Sequence, residues 1–235
     1  MKLYHCSKAR SSRVLWLLDE LQLDYELENM PFDPKALQAP DYLEISPLGK
    51  VPVLVDDRVT MFESVAIMQY ILRRYGEGRL EPVFDAPEYG QFLQWMHFGE
   101  ATLMGPIAQV VQHIRFLPEE LRNPDLAARG RQAFEAFASM LDDTLEDRPY
   151  LLGEDFTAAD IVIGYALFLA NMMNLLQPKH VNLMAYYERL SNGPASRRRR
   201  PSANCSTCGQ RDIGLERPIW GLIPLTPCYL YFHFL

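Results

Sequence analysis

The chain is poor in cysteine, with 4 in 235 residues, too few for a disulfide scaffold at this length. It has no excess of positive charge. Lys and Arg number 23 against 30 Asp and Glu, a net −7, whereas dedicated nucleic-acid binders are usually basic. The opening MKLYHCSKARSSR lacks the apolar stretch of a signal peptide, so the expected compartment is the reducing cytoplasm. No run is apolar and long enough for a membrane span, since Ile161–Leu176 has 16 residues and contains Gly164 and two Asn. No internal repeat is visible. What is present is 49% hydrophobic and 23% charged residues, the balance of an ordinary globular protein with a real core, which excludes a wholly disordered chain.

The averages conceal a break near residue 195. Residues 196–235 carry six Arg, no Lys and two acids, a local +4, which leaves 17 basic and 28 acidic residues, or −11, in the first 195. Three of the cysteines, Cys205, Cys208 and Cys228, also lie there. Cys205-Ser206-Thr207-Cys208 has metal-ligand spacing but no second pair. Arg197–Arg200 could attract nucleic acid or anionic lipid. Ile219–Leu235 is aromatic and uncharged, but Pro224 and Pro227 interrupt it. The tail, 194–235, is expected to be flexible, an extended or frameshifted end that belongs to neither domain and adds no chemistry.

The first third alternates strand-like and helix-like runs. Lys2–Cys6 is followed by Val14, Leu15, Leu17, Leu18 and Leu21 at helical spacing, with Ser11 and Ser12 as candidate N-caps. Tyr25–Met30 alternates as a second strand. Pro31 to Pro47 is irregular, with four prolines. Val51–Val55 and Val59–Phe62 flank a turn at Asp56-Asp57-Arg58, which predicts a hairpin. Ser64 then caps a helix carrying Val65, Met68, Ile71, Leu72 and Tyr75. Residues 1–78 are therefore a βαβ-ββα unit of α/β class. Residues 79–87 are a linker. Beyond it the strand signal vanishes, and residues 88–193 are expected to form a separate all-helical bundle. In it Ile161–Leu176 is a helix buried on most sides.

Three short constellations could carry chemistry, and each also has a purely structural reading. Gly49-Lys50-Val51-Pro52 places a proline at the head of a strand, where it lacks an N–H for the ladder. An ordinary edge proline satisfies this. A cis bond would instead let the Val51 main chain pair with an extended peptide. Glu63-Ser64 precedes a helix, where a hydroxyl and free N–H groups favour a carboxylate and Glu63 can accept from an ammonium. Together they suit an α-amino-acid head group, and plain capping is the competing reading. Arg10, Ser11 and Ser12 stand at the mouth of the first helix, where positive potential and hydrogen bonds favour a thiolate. Cys6 ends the first strand without a CxxC partner and reads as buried packing.

The order and spacing of these pieces resemble the cytosolic glutathione S-transferases, bacterial type. The resemblance covers residues 1–193. Phe156-Thr157-Ala158-Ala159-Asp160-Ile161 is similar to that family's capping motif at the start of the central buried helix, Asp160 reaching back to the Thr157 N–H. The resemblance implies a thioredoxin-like N-terminal domain followed by a helical bundle. It implies that Val51, next to a cis Pro52, pairs with the cysteinyl part of glutathione. Glu63 and Ser64 would hold the γ-glutamyl head group, Lys50 would lie near the glycyl carboxylate, and Ser11 or Ser12, with Arg10, would stabilise the thiolate. His97, Glu100 and Met104, at i, i+3 and i+7, would share a face toward an apolar second substrate. The implied activity is transfer of glutathione to an electrophile in a cytoplasmic, detoxifying homodimer. It would need no metal and no cofactor beyond glutathione as co-substrate, with no nucleic-acid or membrane partner. Glutathione-dependent reduction of disulfides or peroxides, and a non-enzymatic binding role, are the alternatives.

Overall fold

The Val- and Leu-rich runs of the first domain pair into one mixed sheet. The computed structural model describes residues 1–57 and 59–193, and the expectations for the tail fall outside them. Strands β1 (Lys2–His5), β2 (Glu26–Asn29), β3 (Val53–Asp56) and β4 (Val59–Phe62) lie in the order β2-β1-β3-β4. β1 and β2 are parallel, with His5 opposite Asn29, and α1 (Ser11–Glu20) makes the crossover. β3 runs antiparallel to β1, with Val53 opposite Tyr4, and β4 runs antiparallel to β3, with Phe62 opposite Val53. The domain ends in α4 (Ser64–Tyr75). This is the thioredoxin-like arrangement expected of residues 1–78.

The end of β1, the start of β3 and the end of β4 fall at the same end of the sheet, the edge along which the strands terminate. The chain therefore delivers the β1–α1 loop, Val51-Pro52 and Glu63-Ser64 to one place.

Several boundaries differ from the sequence reading. β3 begins at Val53 rather than Val51, because the Val51–Pro52 bond is cis and Pro52 has no N–H to give the ladder. Ser11, Ser12 and Ser64 are not caps. They are the first residues of their helices, and Arg10 and Glu63 hold the cap positions. The irregular stretch contains two single-turn helices, α2 (Pro34–Leu37) and α3 (Pro40–Leu43), each with proline at its first position, where the missing N–H costs nothing.

In the helical domain, residues 88–116 form one long helical run. α5 (Glu88–His97) passes into a π-helical segment, Phe98–Leu103, then α6 (Met104–Val111) and a second π segment, Gln112–Phe116. α7 (Pro124–Thr144), α8 (Ala158–Met172) and α9 (Val181–Ser191) complete the bundle. α8 starts three residues earlier than its apolar run suggests, because Asp160 accepts from the Thr157 N–H at 2.8 Å. It stops short of Leu176, where Asn174 takes a left-handed φ of 55°. The core is continuous across both domains, from Leu3 to Leu190, and α1 packs on α4 on one side and α8 on the other.

Candidate active site

At the shared sheet edge the loop before β3 is fixed by its own polar groups. The Lys50 carbonyl accepts from the Tyr42 hydroxyl at 2.8 Å and from Ser46 Oγ at 2.9 Å, while the Lys50 N–H donates to Ser46 Oγ at 3.0 Å. Gly49 has φ +57°, and a Cβ there would lie 2.5 Å from the Leu37 carbonyl oxygen, so only glycine fits. The loop thus arrives at Val51 with little freedom. No described residue bonds the Val51 main chain, which is half-buried. The Lys50 side chain is exposed beside it.

Glu63 is next along this edge. It stands at φ +74°, a conformation L residues adopt only when their surroundings compel it. Its side chain is exposed and caps nothing in α4. Ser64, buried, begins the helix beside it.

The third element, the α1 mouth, is arranged differently from the sequence reading. Ser11 is 0% exposed, and its hydroxyl is committed inward. It donates to the Cys6 carbonyl at 3.1 Å, accepts from the Cys6 N–H at 3.1 Å, and lies 2.9 Å from His5 Nδ1. A hydroxyl has one proton, so with that proton on Cys6 the His5 ring must donate from Nδ1. Burial pushes the His5 pKa down to about 4, keeping the ring neutral. Ser11 therefore ties the end of β1 to α1 and offers no hydroxyl surface to a thiol. Ser12, one residue on, lines a small cavity between the domains with His5, Ser7, Lys8, Leu15, Trp16 and Phe168. Cys6 is buried, and desolvation raises its thiol pKa to about 11, so it stays protonated and inert at neutral pH.

Arg10 and Arg13 project from α1 toward the helical domain. Arg10 Nε donates to Glu100 Oε1 at 2.7 Å, and Arg13 Nη1 donates to Glu100 Oε2 at 2.6 Å. Arg13 Nη1 also lies 3.4 Å from Ser64 Oγ. The Arg13 guanidinium sits 4.6 Å from the centre of the Tyr165 ring on α8, and the Tyr165 hydroxyl donates to the Lys8 carbonyl at 3.1 Å. Two cations share one carboxylate, so the cluster carries about one net positive charge at the α1 mouth.

Glu100 reaches this cluster from the π segment. A π turn holds more residues than an α turn, so the i, i+3, i+7 spacing does not keep His97, Glu100 and Met104 on one face. His97 is exposed, Met104 belongs to the core, and Glu100 is spent on the two arginines. The three do not form a common wall for a second substrate. A cavity beside Ser12, with Leu15, Trp16 and Phe168 as apolar walls, does lie between the domains.

Arg13 and Tyr165 were missed in the sequence, although Arg13 left a signal. It precedes Leu17 and Leu21 by four and eight residues, so it interrupts the buried stripe of α1. A charge in an apolar stripe marks either an error of register or a buried pair.

Among the described residues no group of three His, Cys, Asp or Glu could hold a metal ion, and no helix is long and apolar enough to cross a membrane.

Comparison with known proteins agrees with this geometry. Residues 1–73 match the family described as glutathione S-transferase, N-terminal domain, and residues 124–189 match glutathione S-transferase, C-terminal domain. Glutathione S-transferase 3 of Schizosaccharomyces pombe is 33% identical over 208 residues, covering 83% of this chain and 84% of that protein. The theta class glutathione S-transferase from Xanthomonas axonopodis pv. citri, solved with glutathione bound, superimposes with a TM-score of 0.73 at 26% identity, covering 83% of this chain and 93% of the other. The glutathione transferase URE2P6 from Phanerochaete chrysosporium, solved with oxidized glutathione, gives 0.74 at 26% identity, covering 83% and 91%. With both domains matched in order and a relative at this identity spanning most of each chain, the protein belongs to the glutathione S-transferase family.

Proposed function

We propose that the protein is a glutathione transferase that activates the glutathione thiol for attack on an electrophile held between the domains. The observation that carries this reading is the single sheet edge on which an unpaired Val51 main chain, an uncommitted Glu63 carboxylate and the α4 N-terminus stand side by side. The Val51 backbone would pair with the cysteinyl unit as an added strand. Glu63 would accept from the α-ammonium, and the start of α4 with Ser64 would hold the α-carboxylate. Lys50 would face the glycyl carboxylate.

The thiolate then lies at the α1 mouth. Its support is assigned to Arg10, Ser12 and the positive end of α1 rather than to the Ser11 hydroxyl, which is already used. Positive potential there lowers the thiol pKa. The thiolate sulfur forms a bond to the electrophilic carbon, the leaving group departs with its electron pair, and the thiol proton goes to solvent. The apolar walls at Leu15, Trp16 and Phe168 suit an apolar second substrate. A cytoplasmic, detoxifying homodimer remains part of this proposal. Reduction through Cys6 does not fit a buried thiol with a pKa near 11.

Purified protein assayed with glutathione and a chlorodinitrobenzene tests the reading. Arg10→Met should lower kcat/KM by about tenfold or more through loss of thiolate stabilisation. Ser11→Ala should leave the pH dependence of kcat/KM in place while costing about 1–3 kcal/mol of stability, because the Cys6 and His5 groups lose their partner. Wild-type protein that binds no glutathione in calorimetry would sink the proposal.

A further inference from the structure

The cavity beside Ser12 holds one formal charge, and no described residue pairs with it. Leu15 and Trp16 of α1 and Phe168 of α8 form the apolar walls, and Ser7, Lys8 and Ser12 are polar. His5 also lines the cavity, and burial keeps its ring neutral, with a pKa of about 4. No Asp or Glu is among the lining residues, so the charge is that of the Lys8 ammonium. Other lysines of the chain are paired. Lys2 holds Glu26 and Glu28, and Lys179 holds Glu135. Lys8 is half-buried, yet among the described residues no carboxylate lies within ion-pair distance of it.

The main chain of Lys8 is fixed from both sides. It stands at φ +65°, a conformation that favours glycine and that a longer residue keeps only where its surroundings impose it. Here the Ala9 N–H closes a turn on the Cys6 carbonyl at 3.1 Å, and the Lys8 carbonyl accepts from the Tyr165 hydroxyl at 3.1 Å. Tyr165 and Phe168 lie one turn apart on α8. The helix that pins the Lys8 backbone therefore also supplies an aromatic wall of the cavity. Trp16 donates from Nε1 to Glu20 at 3.0 Å, so its polar edge is committed and its ring remains as apolar surface. Two aromatic walls suit a flat apolar body, and the unpaired cation suits an anion attached to it.

We infer that Lys8 determines specificity for the second substrate, and that this substrate is a small, flat apolar electrophile bearing a carboxylate. The ammonium donates to the carboxylate, and Ser7, its exposed neighbour in the chain, offers a further hydroxyl. A cation in a partly desolvated cleft with no counter-ion of its own draws an anion more strongly than a paired one does. The chemical step is the one already described. The glutathione sulfur bonds to the electrophilic carbon, the leaving group takes its electron pair, and the thiol proton goes to solvent. The inference rests on the transferase reading given above and names what the electrophile carries.

A matched pair of electrophiles tests it on the full chain: a chlorodinitrobenzoate and the corresponding chlorodinitrobenzamide, which differ in charge and little in shape. Lys8→Met should lower kcat/KM for the benzoate about tenfold more than for the benzamide, as loss of a bond between charged groups does. Lys8→Arg keeps the charge and should recover most of the selectivity. Lys8→Glu should push the benzoate-to-benzamide ratio below that of Lys8→Met. In wild type, added potassium chloride should shrink the same ratio by screening. This salt series needs no variant, so it decides the matter if Lys8→Met does not fold, and a ratio indifferent to salt would then overturn the inference. Equal losses on both electrophiles would overturn it as well, since Lys8 would then act on the thiol or on the loop. So would a fall in glutathione affinity, read by calorimetry, that matches the loss of conjugation. Each of these leaves the transferase reading standing. A wild-type protein that binds no glutathione and conjugates neither compound would remove both.

Discussion

His5 shows what one buried ring does to the pH response of the whole molecule. Its folded pKa of about 4 lies below the 6.5 of the free side chain, and desolvation is the cause. As pH falls, the unfolded chain takes up this proton first. The stabilisation is therefore complete above about pH 6.5 and is lost as pH drops toward 4, by roughly 3 kcal/mol in all. His5→Gln can still donate to Ser11 but does not titrate. Its unfolding free energy should fall less steeply than that of wild type across this window, by up to about 1.4 kcal/mol per pH unit. Chemical denaturation at several pH values reads the difference, and parallel curves would refute it. At this scale Val51-Pro52 and Glu63-Ser64 were legible as motifs, while the cis bond and their meeting at one end of the sheet come from the structure. The sequence was not legible where a side chain could turn either way. Ser11 and Ser12 are adjacent and identical in type, and only the strand-end groups of His5 and Cys6 decide that Ser11 faces inward.

Helices and strands followed their periodicity, and the departures have specific causes. The spacing rule behind His97, Glu100 and Met104 assumes an α-helix throughout. The π segment from Phe98 breaks that assumption, and no residue pattern in FGEATL announces it. The start of α8, by contrast, was readable, because the capping box works through two nearby side chains. Asp160 does more than cap. It is 0% exposed, and its carboxylate accepts from the Thr157 N–H at 2.8 Å, the Leu151 N–H at 3.0 Å and the Tyr186 hydroxyl at 2.9 Å. It therefore joins the head of α8 to the preceding loop and to α9. Asp160→Ala should strip these three donors and the Thr157 hydroxyl, which also donates to the carboxylate at 3.0 Å, and cost roughly 3 kcal/mol or more. That corresponds to about 10 °C in thermal unfolding followed by circular dichroism. Asp160→Asn, which keeps one acceptor oxygen, should cost clearly less, and equal losses for the two would remove the carboxylate from this role.

Across the whole molecule, two domains by sequence pattern are one unit by packing. α1 belongs to the first domain, yet it buries Trp16 against Phe156, with ring centres 6.1 Å apart, and sends Arg13 to Glu100 in the second. Among the described residues the core runs unbroken from Leu3 to Leu190. Composition suggests a linker at residues 79–87 but carries no sign of this interlock, because the residues that make it are apolar or charged in either context. A chain ending at Gly193 retains that whole core and every residue of the candidate site. It should unfold in a single transition. Trp16 and Trp95 are then its only tryptophans, one on α1 at the domain boundary and one on α5. Fluorescence therefore reports the interlock and circular dichroism the helices. Coincident curves are the signature of one cooperative unit. If fluorescence changed at lower denaturant than circular dichroism, the domains would be separable and the Arg13–Glu100 link too weak to join them.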